Sequence, residues 1–408
     1  LSNEAFLKDS KVVDLLKLRL SYGRSGFADS GATGVLSNYS SNGRYLFKDY
    51  YTNSYVGSFY MGSGEGVWQS SLVHMFLANA GVHAEKSSKY NVGIDAELFG
   101  KLHLSADAFI DKRTDILTLD NSMMGYYGKN YYFDNIGKMT NKGVELSAVW
   151  NDLRANWGYS INGSVSFNRN KIDYMAEVAP AYSYNAQTGR PYGTLIGLVA
   201  DGFYDVDDFN ADGSLREGLP VSSYQNTVRP GDVKYRDLND DKIIDDNDMC
   251  WTGNPTVPEI IYGFGFSLKY KGFDCSAFFQ GQGKVSILMY NYHPFATAAT
   301  PGSGLMQWIA DEHWSEDDPN PKALYPRLSP LWNNNNTKAS TLYVRNGKML
   351  RLKTAEIGYT YKKMRVYVSG TNLLTFAPFK YWDPEKGSGN GLGYPLQRTY
   401  NLGFQFNF

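Results

Sequence analysis

The sequence predicts an all-β, antiparallel fold that crosses a membrane as a β-barrel, and three observations predict it. Apolar and polar residues alternate along many segments of about ten residues, as in strands that have one apolar and one polar face. The 408 residues include 32 Tyr and 41 Gly, which favour strands and turns. No segment approaches the roughly 18 consecutive apolar residues of a membrane helix. The last observation excludes helical spans and leaves strands as the means of crossing.

Strands are predicted wherever the alternation is regular. It is clearest over 16–22, 90–98, 102–110, 144–150, 159–167 and 400–408, and less regular over 260–271, 273–281, 350–361 and 364–373. Between Leu352 and Ala355 the apolar positions change phase, which predicts a β-bulge. Together the segments predict roughly ten to twelve strands.

The connections between these strands are of two kinds. Short turns are predicted at 99–101, 271–272 and 362–363, and long connections at about 25–85, 112–140, 171–193, 205–257 and 284–345. Short turns at one end and long loops at the other are typical of outer-membrane barrels, whereas a soluble sandwich or a solenoid is the alternative. Residues 305–314 have helical spacing, so one helix is predicted inside the last long connection.

Composition excludes several classes of function. The 40 basic and 41 acidic residues give a net charge of -1, which argues against a nucleic-acid partner. Two cysteines, Cys250 and Cys275, are too few for a disulfide scaffold. No HExxH pair, GxSxG elbow or phosphate-binding loop is present, so we predict no catalytic residues, no cofactor-binding residues and no enzyme activity. The N-terminus has no signal-peptide pattern, which predicts a mature product or a piece of a longer chain.

One acidic segment has the spacing of an EF-hand calcium loop. Oxygen ligands at positions 1, 3, 5, 7, 9 and 12 are supplied by Asp237, Asn239, Asp241, the Ile243 carbonyl, Asp245 and Asp248. Lys242 replaces the turn glycine and Asp248 replaces the bidentate Glu, so a solvated acidic loop with local turns is the alternative. A second, weaker match comprises Asp208, Asn210, Asp212, Gly213 and Leu215, and it lacks an acidic residue at position 12.

Aromatic residues are concentrated in two of the long connections. They are Tyr45, Phe47, Tyr50, Tyr51, Tyr55, Phe59 and Tyr60 in the first, and Tyr126, Tyr127, Tyr131, Tyr132 and Phe133 in the second. Further tryptophans in the connections are Trp68, Trp251, Trp308, Trp314, Trp332 and Trp382. Such rings stack on sugars or hold peptide side chains, or they form interface girdles and pack loops together, and the sequence does not choose between these roles.

Several segments, taken together and in order, resemble the SusC/RagA family of TonB-dependent outer-membrane transporters. They are NIGKMTNKGVEL at 135–146, GDVKYRDLNDDKIIDDND at 231–248, 350–359, 366–376, 382–385 and 394–400, followed by the terminal Phe408. The resemblance implies the C-terminal half of a 22-strand barrel whose plug domain is absent from this chain. Open strand edges in lipid leave backbone groups unpaired, which also argues for missing strands. A complete barrel of ten or twelve strands is the alternative.

The resemblance also implies a function and partners. It implies active import of oligosaccharides or peptides across the Gram-negative outer membrane, by a multi-pass barrel. The implied partners are a SusD-like surface lipoprotein, the TonB-ExbB-ExbD complex acting through the missing plug, the N-terminal half of the barrel and outer-membrane lipid. A passive porin or adhesin barrel, and a secreted carbohydrate-binding β-protein, are the alternatives. The substrate itself is not predicted.

Overall fold

The computed structural model describes residues 4, 7, 10–27, 50–62, 66–120, 132–154, 156–289, 307–329, 332–389, 391 and 393–406. Its strands are β1 (Val13–Phe27), β2 (Tyr50–Met61), β3 (Val67–Phe76), β4 (Glu85–Leu98), β5 (Leu102–Leu119), β6 (Phe133–Leu153), β7 (Trp157–Tyr174), β8 (Leu195–Gly197), β9 (Ala200–Phe203), β10 (Val221–Ser222), β11 (Val233–Tyr235), β12 (Ile243–Ile244), β13 (Cys250–Thr252), β14 (Ile260–Tyr270), β15 (Phe273–Gly283), β16 (Ser286–Leu288), β17 (Val344–Asn346), β18 (Met349–Tyr361), β19 (Met364–Phe376) and β20 (Thr399–Phe406).

The largest element is a ten-stranded sheet in the order β1-β4-β5-β6-β7-β14-β15-β18-β19-β20. Every neighbouring pair in it is antiparallel. The predicted short turns join β4 to β5, β14 to β15 and β18 to β19. Lys271 and Gly272 have φ of 46° and 93°, the two positive values that a tight hairpin needs to match strand twist. The predicted strands and short turns are therefore confirmed.

The predicted bulge is also confirmed. The register shift between Phe278 and Phe279 leaves Lys353 as an extra residue of β18 against β15. Against β19 the register also shifts there, but Asn372 and Leu373 stand opposite Lys353, so the extra residue on that side belongs to β19. The connection predicted over 112–140 is narrower, because β5 runs to Leu119 and β6 begins at Phe133. The ladder continues there through residues that do not alternate, such as the pair Leu117 and Asn135.

The helix predicted over 305–314 is shorter than expected. In the part of that segment which the structure describes, α1 spans only Gln307–Asp311. The chain then becomes extended, because His313 forms a bridge with Tyr325 and the Trp314 N–H donates to the Tyr325 carbonyl at 2.9 Å. No helix among the described residues has the length and apolar character needed to cross a membrane.

The two faces of the large sheet differ in polarity. One cross-strand row reads Leu18, Ile94, Ala106, Leu146 and Val165, and the adjacent row on the opposite face reads Arg19, Gly93, Asp107, Glu145 and Ser166. The apolar side chains lie uncovered, with exposed fractions of 48% for Leu18, 47% for Ile94 and 51% for Leu146. An apolar face that no other described part of the chain covers fits a lipid environment.

The long connections at the other end pack into a layer with its own core, which we call the loop layer (195–257, 284–289, 307–329, 332–346 and 377–389). One buried cluster in it contains Ile287, Met289, Ile309, Tyr325, Tyr343 and Phe379, and a second contains Leu198, Val233, Tyr235 and Ile244. Short two-stranded sheets brace it, pairing β8 with β13, β9 with β11, β10 with β12 and β16 with β17. The loop layer therefore has a buried apolar core, whereas the sheet beneath it is one layer thick.

Candidate functional site

The polar face of the sheet carries a shallow recess between β5 and β15. Its volume is about 510 Å³, and its polar lining includes Ser105, Asp107, Glu145, Ser164 and Gln280. The Ser166 hydroxyl donates to the Glu145 carboxylate at 3.3 Å. Hydroxyl, carboxylate and amide groups together donate and accept hydrogen bonds, so this face suits a polar solute or a polar protein surface.

An arginine crosses one strand of this face over a glycine. Arg19 on β1 lies opposite Gly93 on β4, which lies opposite Asp107 on β5. The Arg19 guanidinium reaches Asp107 at 2.8 Å and Asp95 at 2.8 Å. A Cβ on Gly93 would lie 2.4 Å from the Asp107 carboxylate and 2.8 Å from the guanidinium. A side chain at position 93 would therefore require the ends of the Arg19 and Asp107 side chains to shift from this arrangement.

The same arrangement recurs near the other edge of the sheet. Arg365 on β19 passes over Gly358 on β18 and binds Asp274 on β15, and it also binds Glu356 at 2.5 Å. A Cβ on Gly358 would lie 2.6 Å from the Arg365 guanidinium. Each bridge ties three neighbouring strands on the polar face, where each arginine has two carboxylate partners.

Asp232 is the charged centre of the loop layer and is completely buried. Its carboxylate accepts from Arg327 Nε at 2.7 Å, Asn336 Nδ2 at 2.9 Å and Asn333 Nδ2 at 3.0 Å. It also accepts from the Arg229 backbone N–H at 2.9 Å. A buried carboxylate is stable only with such partners, so Asp232 joins the 229–236 segment to the 327–336 segment.

A second buried charge connects the sheet to the loop layer. Arg351 on β18 is 1% exposed and donates to Asp383 at 2.5 Å and Glu385 at 2.8 Å. The extra residue of the bulge, Lys353, also binds Glu385, at 2.7 Å. The two cations and two carboxylates hold the connection between β19 and β20 against β18.

In the predicted calcium loop, carboxylates accept hydrogen bonds from backbone N–H groups of the same loop. Asp237 accepts from the N–H groups of Asp240 at 2.7 Å and Lys242 at 2.8 Å, and Asp241 accepts from the Ile243 N–H at 2.8 Å. Across the part of the chain that the structure describes, no three His, Cys, Asp or Glu side chains are grouped so as to hold a metal ion.

The remaining predicted ligands are also engaged. Asp248 is fully buried and accepts from the backbone N–H groups of Leu238 at 2.7 Å and Asp245 at 2.9 Å. Burial raises the pKa of Asp248, although these hydrogen bonds act in the opposite direction. Lys242 has a φ of 68°, the left-handed turn that glycine supplies in calcium loops. The backbone path thus fits an EF-hand loop better than the carboxylate contacts do, and calcium stays a prediction.

The weaker match over 208–215 is organised in the same local way. The Asp208 carboxylate binds Lys234 at 3.1 Å and caps the short turn after Asp205. Asp212 accepts from the Ser214 N–H at 2.9 Å, and Asn210 donates to the Ser214 hydroxyl at 3.0 Å. The structure therefore does not bring Asp208 and Asp212 together around one point.

The tryptophans of the connections are distributed between packing and exposure. Trp314 is 2% exposed, and Trp308 and Trp382 pack against the first buried cluster. Trp68 is 63% exposed and contacts Tyr60 edge-to-face, with ring centroids 5.5 Å apart. Most of the two predicted aromatic clusters lies outside the described residues: Tyr45, Phe47, Tyr126, Tyr127 and Tyr131, together with the side chains of Tyr50, Tyr51, Tyr55 and Phe59.

Sequence reasoning missed the two buried charge networks. The signals were present, because Asp232 stands in the GDVKY segment and the Asn run at 333–336 is the only run of four identical residues in the sequence. Neither signal states that the two segments meet, since they are about a hundred residues apart.

Comparison with known proteins gives a consistent result. A family model described as TonB dependent receptor-like, beta-barrel matches residues 11–253. TonB-dependent receptor P3 of Formosa agariphila is 28% identical over 448 residues, covering 100% of this chain and 41% of that protein. SusC of Bacteroides thetaiotaomicron is 25% identical over 440 residues, covering 100% and 39%. This chain therefore spans about two fifths of the length of the curated relatives it matches.

Solved structures show the same architecture. The RagAB peptide importer in its open-open state superposes with a TM-score of 0.67 at 21% identity, covering 99% of this chain and 41% of the matched chain. A second structure, of the RagAB peptide transporter, gives a TM-score of 0.67 at 20% identity. At this identity the likeness establishes the fold.

Proposed function

Because this chain belongs to the family of TonB-dependent receptor-like β-barrels, we propose that it forms part of the wall of an importer of oligosaccharides or peptides. The chain is an outer-membrane protein and not an enzyme. The observation that carries the proposal is the pairing of one continuous polar face with one continuous, uncovered apolar face across the ten-stranded sheet. The polar face lines the passage and the apolar face contacts lipid.

The proposed protein needs strands beyond this chain. The outer edges of β1 and β20 pair with no other strand among the described residues. In lipid, unpaired backbone groups on an edge cost several kcal/mol each. We propose that the N-terminal part of the same barrel pairs with both edges, and that a plug domain, which the TonB-ExbB-ExbD complex moves, closes the passage.

The loop layer suits a stable docking surface for a SusD-like surface lipoprotein. Its buried clusters and the Asp232 network fix the relative positions of several long connections. A surface held in this way loses less conformational entropy when a partner binds. The similarity to SusC and to the RagAB peptide importer supports this pairing.

We also propose that the 237–248 loop binds calcium, through Asp237, Asn239, Asp241, the Ile243 carbonyl, Asp245 and Asp248. Its left-handed Lys242 supports the proposal. Calorimetric titration of the full-length, chelator-treated protein with CaCl₂ tests it, with Asp241→Asn as the variant. Heat release that the variant abolishes is expected, and an equal response of both proteins, or none, contradicts the proposal.

Uptake by cells tests the transport proposal. We expect cells that express the full-length protein to take up fluorescent oligosaccharides or peptides. We expect this uptake to stop when TonB is deleted. Uptake that continues without TonB indicates a passive porin. Recovery of the protein from the culture medium without detergent indicates the secreted binding protein instead.

A further inference from the structure

The end of the sheet that carries the short turns has a row of aromatic rings on its apolar face. Cross-strand neighbours in this row are Trp157, Tyr270, Phe273, Tyr359 and, beyond Val366, Phe404. The exposed fractions are 51% for Tyr270, 58% for Phe273 and 71% for Phe404. Phe273 and Tyr359 contact each other with ring centroids 4.5 Å apart. The row is therefore an exposed band of aromatic rings that only Val366 interrupts.

Basic side chains from the short turns lie over these rings. The Lys271 ammonium is 5.2 Å from the centroid of the Tyr270 ring, and the Lys362 ammonium is 5.4 Å from that of Tyr361. Because the ring face is electron-rich, it holds each cation at the level of the band without neutralising its charge. Both ammonium groups remain available to an anion.

The turns at this end contain few carboxylates that compensate the lysines. Among the described residues, no carboxylate lies within ion-pair distance of Lys271, Lys362 or Lys363. The nearby Asp274 and Glu356 face the polar side of the sheet, where Arg365 binds both. Within the described part of the chain, Lys271 and Lys362, with the exposed Lys363 next to Lys362 in sequence, thus lie at the band's end of the sheet without a carboxylate partner.

We propose that this end of the sheet binds anionic phospholipid, with the acyl chains on the apolar face and the phosphate group on Lys271, Lys362 and Lys363. Short turns of outer-membrane barrels lie at the periplasmic side, and aromatic rings lie at the boundary between hydrocarbon and headgroups. Below the band, Leu268, Ile357 and Leu402 are 47%, 66% and 65% exposed and provide the surface for the chains.

Charge complementarity selects an anionic headgroup over a zwitterionic one. A zwitterionic headgroup brings its own ammonium, which the three lysines repel, whereas a phosphatidylglycerol headgroup has only the phosphate charge. Basic residues close to an anionic lipid surface each contribute to binding. We therefore expect a preference for phosphatidylglycerol over phosphatidylethanolamine on the order of a hundredfold for three lysines.

Native mass spectrometry of the full-length protein in detergent with equimolar phosphatidylglycerol and phosphatidylethanolamine tests the proposal. The wild type is expected to retain mainly phosphatidylglycerol, and the variant Lys271→Asn/Lys362→Gln/Lys363→Gln is expected to lose that preference. Asn suits position 271 because φ there is 46°. The matched control Lys322→Gln/Lys348→Gln/Lys380→Gln removes the same charge from exposed lysines at the long-loop end and is expected to behave as wild type.

Three results would overturn the proposal. They are equal retention of the two lipids by the wild type, an unchanged preference in the turn variant, and an equal loss in the control variant. A charge-preserving variant, Lys271→Arg/Lys362→Arg/Lys363→Arg, separates loss of charge from damage to the turns, and it is expected to keep the preference. Lipid retention is measured without TonB or substrate, so its failure is independent of the transport proposal.

Discussion

The ten-stranded sheet and the loop layer are stabilised in different ways. The sheet is held by backbone ladders between neighbouring strands, and its apolar side chains remain exposed for lipid. The loop layer has a buried core and a buried charge, Asp232, whose partners are distant in sequence, and the buried Arg351 of β18 joins the sheet to it through Asp383 and Glu385. The surrounding medium, lipid or water, therefore determines which residue types occupy each face of the sheet. In the loop layer, specific contacts between residues distant in sequence determine them.

The largest expected effect is the loss of the buried carboxylate in the loop layer. In the full-length protein, Asp232→Ala leaves Arg327, Asn333 and Asn336 without their shared acceptor. A broken buried charge pair costs about 3–5 kcal/mol. Hydrogen exchange is expected to accelerate over 229–236 and 327–340, while β5 to β7 keep their protection.

The matched control for that experiment is Asp201→Ala. Asp201 pairs with Arg236 at the surface, where both side chains are well exposed. Exposed pairs contribute about 0–1 kcal/mol. Equal effects of the two variants would show that Asp232 is not a centre of the loop layer.

The next largest effect is expected from an arginine placed on the apolar face of the sheet, and it tests whether that face contacts lipid. Leu146 and Ser147 are adjacent on β6 and point to opposite faces. An arginine on the lipid face of an outer-membrane barrel costs up to about 2–4 kcal/mol. Leu146→Arg is therefore expected to lower the stability of the full-length protein folded into lipid vesicles, measured by denaturant unfolding, and Ser147→Arg is expected to change it far less. A larger loss of stability in Ser147→Arg than in Leu146→Arg would mean that the polar face contacts lipid and the apolar face lines the lumen.

A smaller effect is expected when alanine replaces either of two loop-layer glycines, and the two substitutions separate the cost of a steric clash from the cost of a positive φ. Gly231 and Gly213 both have φ of 81°, but a Cβ on Gly231 would lie 2.1 Å from the Trp314 ring, whereas none of the described atoms is within 4 Å at Gly213. Gly213→Ala carries only the conformational cost, about 1 kcal/mol. Gly231→Ala adds overpacking of about 1–3 kcal/mol. Thermal unfolding of the two variants should differ by that amount, and equal values would mean that Trp314 moves aside freely.

The smallest expected effect is a dependence on pH in the 171–193 connection. Burial raises the pKa of Glu177, but hydrogen bonds from Gln187 and Thr188 outweigh it and hold the pKa below its ordinary value of 4.5. Since the folded pKa lies below the unfolded one, this stabilisation is fully present above about pH 4.5 and is lost as the pH falls through the folded pKa. It amounts to about 1 kcal/mol.

Hydrogen exchange over 186–190 measures this dependence. Protection in the wild type is expected to fall between pH 6 and the acid side of pH 4.5, and protection in Glu177→Gln is expected to be lower and independent of pH. The exposed Glu217→Gln variant serves as the control. An unchanged pH profile in Glu177→Gln would show that another group controls this connection.

The strands of the sheet could be predicted from the sequence because their pattern is local, whereas the contacts of the loop layer could not because they join distant segments. Alternation of the kind seen around Leu146 records burial in lipid residue by residue, so the strands, the short turns and the bulge at Lys353 were predictable. The partners of Asp232 were not, because the contact joins segments about a hundred residues apart. The helix predicted over 305–314 ends early for this reason too, since pairing of His313 with Tyr325 overrides the local helical pattern after Asp311.

Gly93 and Gly358, which Arg19 and Arg365 pass over, affect how sequence variation among related chains should be interpreted. Gly93 and Gly358 have no charge, yet each lies under the guanidinium of an ion pair between its two flanking strands, where a Cβ would displace the charged groups. A mutational scan that scores positions by chemical similarity would rate Gly→Ala as mild at both sites and Arg→Lys as the change to watch. Here Gly→Ala is also expected to matter, because a Cβ at the middle position displaces the charged groups of the pair although it leaves their charges in place. Pairwise covariation between Arg19 and Asp107 would weaken wherever the residue between them is no longer glycine.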